Sequence, residues 1–209
     1  MRADAQRNAD KLRTAATALC RERGLQVSLK EIARHAGVSH GTLYNLFGTR
    51  EALIDEVIGD IAAKRLGDAA RRAQACDDAW EGFAGYVTEV CELQATDPAL
   101  GDVLTRRCPQ AVRLMAVCDN TAAAAASIID RARSAGTLRP DFTTEDLIFF
   151  LASNAALARA AESTGAPGWR RSVAFLLDGL RTAAAHPLPT APLKPAQLHH
   201  MLVGEPAAS

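Results

Sequence analysis

SLKEIARHAGVSHGTLYNLFGTREAL, residues 28–53, contains the start and stop signals of two short helices. Ser28 and Glu31 make an S-x-x-E capping box, in which each side chain satisfies a backbone N–H at the helix start. Leu29, Ile32, Ala33 and Ala36 follow on one face at helical spacing. Gly37 comes next, where a helix end needs a residue that tolerates positive φ. Val38 is an apolar plug. Ser39 caps a second helix that opens with His40, Gly41 and Thr42. Leu43, Leu46 and Phe47 give that helix an inner side and leave His40, Thr42, Tyr44 and Asn45 facing out. Helix, short glycine turn, helix is the helix-turn-helix plan. Its second helix enters the major groove of DNA while its first crosses the backbone.

Ala33…Ala36-Gly37-Val38-Ser39…Gly41-Thr42-Leu43-Tyr44…Leu46-Phe47, followed by Thr49-Arg50-Glu51-Ala52-Leu53, resembles the DNA-binding signature of the TetR family of bacterial transcriptional regulators. The likeness covers roughly the first quarter of the chain. Residue chemistry sorts the expected contacts. His40, Thr42 and Asn45 carry groups able to address base edges. Gly41 lets the helix backbone approach the duplex closely. Tyr44 has a hydroxyl suited to a phosphate oxygen. Ser28, Ser39 and Thr49 are caps, beside free N–H groups that suit phosphates. Arg50 stands where the resemblance implies a basic residue, usually Lys, on the DNA backbone. Arg2 and Arg7 are expected to reach phosphates from the first turns of the chain.

The 209 residues suit one large domain or two small ones. Net charge is zero, but it is unevenly distributed. The first fifty residues hold nine Lys/Arg against four Asp/Glu, and the remainder fifteen against twenty. A basic head on an acidic body suggests a polyanion at one end. The five cysteines, Cys20, Cys76, Cys91, Cys108 and Cys118, are odd in number and form no C-x-x-C. They read as reduced thiols of a cytoplasmic protein, mostly in the core. The polar N-terminus is no signal peptide, and no run of about 18 apolar residues announces a membrane span. Scarce aromatics, abundant Ala, Leu and Arg, and no strand-type alternation give an all-α fold of about nine helices.

Taken in order, the chain divides into a DNA-binding head (1–48), a larger helical effector-binding and dimerisation body (49–186) and a proline-rich tail expected to be disordered (187–209). The first helix carries Leu12, Ala15, Ala16, Leu19 and Cys20 on one stripe and stops at Gly24. Thr49 opens a long helix to about residue 75. Asp77-Asp78 opens another, broken at Asp97-Pro98. A short helix from Pro98 to about residue 106 is followed by a long one expected to start at Pro109 and end before Gly136. That helix contains the Ala122–Ala126 run, which permits close packing or open space. Thr143 and Asp146 make a second capping box, and the helix they open is apolar nearly all round. Pro167 opens the last helix. The resemblance implies that these two helices, 143–163 and 167–185, dimerise with their twins. It also implies that the helix after Thr49 transmits the state of the body to the head by its tilt.

An effector pocket among the body helices is a further implication of the resemblance. Its candidate walls are Trp80, Phe83, Tyr86, Val87, Val90, Leu114, Met115, Cys118, Phe149 and Asn154, all on apolar stripes. If one of Arg106, Arg107 and Arg113 turned inward, the effector would be anionic. The function expected is a homodimeric regulator that binds double-stranded operator DNA, a repressor released by a small molecule, with no cofactor and no metal site. One alternative keeps the DNA-binding head and makes the body a thiol-redox sensor through Cys108 and Cys118. The enzyme alternative rests on a nucleophilic cysteine without a body histidine before His186, and the chain has no G-x-S-x-G, phosphate loop or H-E-x-x-H.

Overall fold

The computed structural model describes residues 2–106, 108–161 and 168–203, without the side chains of residues 2, 199 and 201–203. It is all-α. The helices are α1 (Arg2–Arg23), α2 (Leu29–Ala36), α3 (His40–Phe47), α4 (Arg50–Ala75), α5 (Ala79–Thr96), α6 (Pro98–Thr105), α7 (Val112–Ser134), α8 (Thr144–Ala161), α9 (Gly168–Leu180) and α10 (Pro195–Val203). A 3-10 turn, Thr182–Ala184, follows α9. The one β pairing among the described residues is an isolated bridge between Leu138 and Arg181.

Local signals set most boundaries. The Ser28–Glu31 box forms in both directions, with the Glu31 N–H donating to Ser28 Oγ at 3.2 Å and the Ser28 N–H to Glu31 Oε2 at 3.1 Å. Hydrogen bonds from Ser28 hold the Glu31 carboxyl below the usual carboxylate range. Gly37 adopts φ +64° and closes α2 through its N–H and that of Val38. Ser39, Thr49 and Asp78 cap α3, α4 and α5. Thr143 and Asp146 form the second box ahead of α8. Across the fold, Arg131 of α7 donates to the Gln74 carbonyl, an orphan acceptor at the end of α4, and to the Asp77 carbonyl of the loop that follows.

Two apolar clusters form the interior. The first gathers Leu12, Leu19, Leu25, Ile32 and Leu43 of the head with Leu53 of α4, Leu100 and Val103 of α6 and Leu114 of α7. The second is centred on Phe83, fully buried, whose ring meets Trp80 and Phe142 at 5.8 Å each. α4 packs chiefly on α7 and α5, and α1 reaches both α2 and α6, so α6 lies between head and body.

Several sequence expectations are corrected. The long helix expected from Pro109 starts at Val112, because Pro109 and Gln110 form a turn held by the Ala111 N–H on the Cys108 carbonyl, 2.8 Å. α7 alone among the described helices is long and on average apolar enough to pass for a membrane span, and Arg113, Asp119 and Asp130 interrupt it. Its Ala-rich composition raises the mean, while the helix packs on α4 as part of the body. Leu46 was assigned to the inner side of α3 and is 36% exposed. α8 was expected to be buried on several sides, but in the single chain Phe149 and Leu157 face outward. The tail carries α10, where no structure was expected. Its first turn is supported by Gln197 Oε1 accepting the Lys194 N–H at 2.9 Å, and Leu198 is buried. The start expected at Pro167, the last residues of the 143–163 helix and Arg107 lie outside the described residues.

Candidate nucleic-acid interface and body cavity

α3 is eight residues long, too short to be stable alone, and is held by its cap and by Leu43, which is fully buried. Ser39 Oγ accepts the Thr42 N–H at 3.1 Å. That geometry leaves one face of α3 open. His40, Gly41, Tyr44 and Asn45 are exposed, Tyr44 at 58%. The His40 and Tyr44 rings lie 6.5 Å apart on successive turns. A Cβ at Gly41 would meet nothing closer than Ser39 Oγ, 4.0 Å away, so the backbone there is open to approach.

Three expected contacts have other commitments. Thr42 is half-buried, and its hydroxyl lies 2.8 Å from Ser39 Oγ, within the cap. Ser28 Oγ is bonded to Glu31. Arg50 turns back into the head, where Nε donates to the Val27 carbonyl at 3.0 Å, Nη2 donates to the Leu25 carbonyl, and Nη1 pairs with Glu51 at 3.1 Å. It tethers the loop before α2. Thr49 is exposed and caps α4 through the Ala52 N–H, 3.1 Å. Arg7 is exposed and paired with Asp4. The side chain of Arg2 lies outside the described residues. Arg13, on the same helix, binds Glu56 at 2.6 Å and sits over the Phe47 ring, fixing α3 and α4 against α1.

The body encloses a cavity between α5, α6, α7 and α8. It is bordered by Tyr86, Val103, Leu104, Arg106, Cys118, Thr121, Ala122, Ala125, Leu147, Ile148 and Leu151. Its open space is about 40 Å³, room for a few waters at most. The alanine run thus does both things it permits: Ala125 is buried in the second cluster, and Ala122 and Ala125 leave the gap. Of the candidate walls, Tyr86 and Cys118 border the cavity. Trp80, Phe83, Val87 and Val90 lie in the core behind it, and Leu114 belongs to the head-side cluster. Met115 is half-buried outside the lining. Phe149 points outward, 51% exposed. Asn154 is buried, its Nδ2 donating to Gln94 Oε1 at 3.0 Å while Gln94 Nε2 donates to the Leu151 carbonyl at 3.1 Å. Helical spacing selected Tyr86 and Cys118 of the lining but also the outward Phe149, and it missed Val103, Leu147 and Leu151; only packing decides which positions meet the gap.

The residues that join the cavity to the head carry no local signal. Asp97, at the start of α6, is buried and receives Arg21 of α1 at 2.9 Å and Arg65 of α4 at 3.0 Å, both on Oδ2. Asp102 of α6 is buried too. Its Oδ2 accepts the Leu25 N–H of the head at 2.8 Å, and its Oδ1 faces Arg106 of the cavity rim at 3.2 Å. The approach is close: Gly24, at φ +83°, has no room for a Cβ, which would lie 2.4 Å from Asp102 Oδ2. α6 is therefore cavity wall on one side and support of the head on the other.

The cysteines are all free thiols. Burial pushes Cys20 up to about 11 and Cys91 up to about 12, and raises Cys108 as well. Cys118 Sγ donates to the Val103 carbonyl at 3.1 Å. A raised thiol pKa is the wrong direction for a reactive sensor, and the redox alternative finds no support.

Comparison with known proteins agrees with this geometry. The family of bacterial regulatory proteins of the tetR family matches residues 12–57, and the C-terminal domain of SbtR-like transcriptional regulators matches residues 78–182. The chain belongs to the TetR family and is a DNA-binding transcriptional regulator; the family is one of regulators, whose members bind operator DNA, dimerise and respond to small molecules. Among solved structures, the TetR regulatory protein of Mycobacterium vanbaalenii is 29% identical, with a TM-score of 0.50, over 86% of this chain and 98% of that one. The regulator SCO0520 of Streptomyces coelicolor is 28% identical, with a TM-score of 0.51, over 83% of this chain and 98% of that one. The fold is shared with FadR of Bacillus subtilis, solved with stearoyl-CoA, at 17% identity and a TM-score of 0.61 over 84% of this chain and 98% of that one. No curated protein sequence matches the chain.

The Asp102 joint has a measurable weight. Asp102→Ala leaves the buried Leu25 N–H without an acceptor and should cost about 1–3 kcal/mol of stability, read as a lower urea midpoint by circular dichroism. An unchanged midpoint would show that the joint contributes nothing.

Proposed function

We propose that the chain is a cytoplasmic homodimeric repressor whose head, residues 1–48, reads an operator through α3, and whose body, residues 49–186, releases the DNA when a small molecule enters. The observation that carries the reading is the open face of α3: His40, Tyr44 and Asn45 are exposed without a structural partner for their side-chain hydrogen-bonding groups among the described residues, on a helix whose other side is locked into the head. Asn45 and His40 suit base edges, Tyr44 suits phosphate, and the open backbone at Gly41 lets the helix sit deep in the groove. Thr42, Ser28 and Arg50 serve this interface through the loop and caps that aim α3, and the N–H groups beside Ser39 and Thr49 face phosphates. Two such helices related by two-fold symmetry match half-sites about 34–36 Å apart.

The effector acts on α6. The cavity has too little open space for a metabolite, so a ligand has to part α6 from α7 and α8. α6 carries Asp97 and Asp102, the two carboxylates that hold the head. A ligand shifts the equilibrium only by its preference for the parted state. FadR, which shares the fold, holds stearoyl-CoA in its crystal, which supports a body that opens for a small molecule.

The dimer forms through α8 and α9. Their outward face carries Phe149, Leu157 and Phe175, and Phe175 is 63% exposed. An unpartnered patch of large apolar side chains on adjacent helices is the mark of an interface. Phe175→Glu should give a folded monomer by sedimentation with unchanged helicity and strongly weakened operator binding. A dimer that survives the change would place the interface elsewhere.

The head is tested by footprinting on DNA flanking the chain's own gene, then by anisotropy on variants of the protected site. Tyr44→Phe should weaken binding to every sequence alike. Asn45→Ala should relax selection at one base pair, by about 1–3 kcal/mol. Uniform losses for both changes would contradict the assignment of Asn45 to a base edge.

A further inference from the structure

Tyr86 of α5 is 2% exposed, yet its hydroxyl has no hydrogen-bond partner among the described residues. A phenol sealed into a core in that way would lose a hydrogen bond it had in water. Among the described residues, the fully enclosed side-chain polar atoms without a partner are Asp97 Oδ1 and Asn154 Oδ1, and the Tyr86 oxygen is not one of them. Tyr86 borders the cavity. Burial pushes its pKa up to about 12, so it stays an uncharged donor across the physiological range.

The rest of the lining is chiefly hydrocarbon, with Val103, Leu104, Leu147, Ile148 and Leu151 as its large members. Among the described residues, the one charged lining residue is Arg106, and its charge is met by Asp102 at 3.2 Å. An anionic ligand would have to compete with Asp102 for Arg106, and Asp102, which also holds the Leu25 N–H, would be left with Arg159 at 3.8 Å. An uncharged ligand leaves that pair intact. It still has to part α6 from α7 and α8, and it satisfies the Tyr86 hydroxyl.

We propose that this cavity takes an uncharged, mainly hydrocarbon molecule bearing one hydroxyl or carbonyl oxygen, and that the Tyr86 hydroxyl recognises that oxygen. This names the effector class of the site assigned above and rests on the cavity being the effector site. Hydrocarbon lining provides binding without direction, because apolar burial is proportional to area and blind to orientation. The single uncommitted phenol supplies the direction, since a ligand lacking the oxygen leaves it unpaired.

The test uses the full chain and two fluorescent probes of nearly the same shape, uncharged N-phenyl-1-naphthylamine and anionic 8-anilino-1-naphthalenesulfonate. The uncharged probe should bind more tightly. 4-Pentylphenol should displace it at a concentration roughly three- to tenfold lower than pentylbenzene does, the ratio one net hydrogen bond gives. Tyr86→Phe keeps the ring and the core packing, and should erase that ratio while leaving pentylbenzene unchanged. A ratio that survives Tyr86→Phe, tighter binding of the sulfonate probe, or no displacement by either compound up to its solubility would overturn the proposal. DNA release is read separately by anisotropy. Phenol binding that leaves the DNA complex intact would sink the effector reading and spare recognition by Tyr86. DNA release with no phenol preference would sink the recognition alone.

Discussion

Two buried carboxylates hold the head of this protein to its body, and everything the α3 face can do depends on them. Asp97 gathers Arg21 from α1 and Arg65 from α4, and Asp102 takes the Leu25 N–H immediately after α1. Both belong to the α6 segment. Buried charges are costly unless paired and hydrogen-bonded, and removing one partner of such a set leaves the other uncompensated. The geometry of the joint is therefore narrow, and the missing Cβ at Gly24 lets the two parts come together.

The joint also explains why an eight-residue helix can present a polar face with fixed geometry. Leu43 anchors it from below, Ser39 fixes its first turn, and Arg13 spans from α1 to Glu56 over the Phe47 ring. Arg50 fastens the loop that leads into α2. None of these groups needs to touch DNA to matter for binding. They set where His40, Tyr44 and Asn45 stand.

Much of this was legible in the sequence because it is local. The capping boxes at Ser28 and Thr143, the caps at Ser39, Thr49 and Asp78 and the αL glycine at Gly37 involve residues a few positions apart, and each falls where the pattern puts it. What the sequence left unread is long-range. Asp97 sits 76 residues from Arg21, and Asp102 sits 77 from Leu25. No periodicity announces such pairs. Arg50 reads as a contact to the DNA backbone and is a tether. The cavity shows the limit of apolar stripes: Phe83 and Tyr86 share one face of α5, yet only Tyr86 borders open space. The α10 helix was missed because its support is a single reach-back from Gln197 and one buried Leu198, too little to outweigh the surrounding prolines.

The central claim is that the outer face of α3 lies in the major groove of a duplex. Its most direct measurement is photocrosslinking to a footprinted site in which thymines carry 5-bromouracil, which places the reactive atom where the thymine methyl projects into that groove. The crosslinked peptide, identified by mass spectrometry, should lie within residues 39–49 and vanish with competitor operator. A crosslink confined to peptides of the body, or none above that given by unrelated DNA, would contradict it.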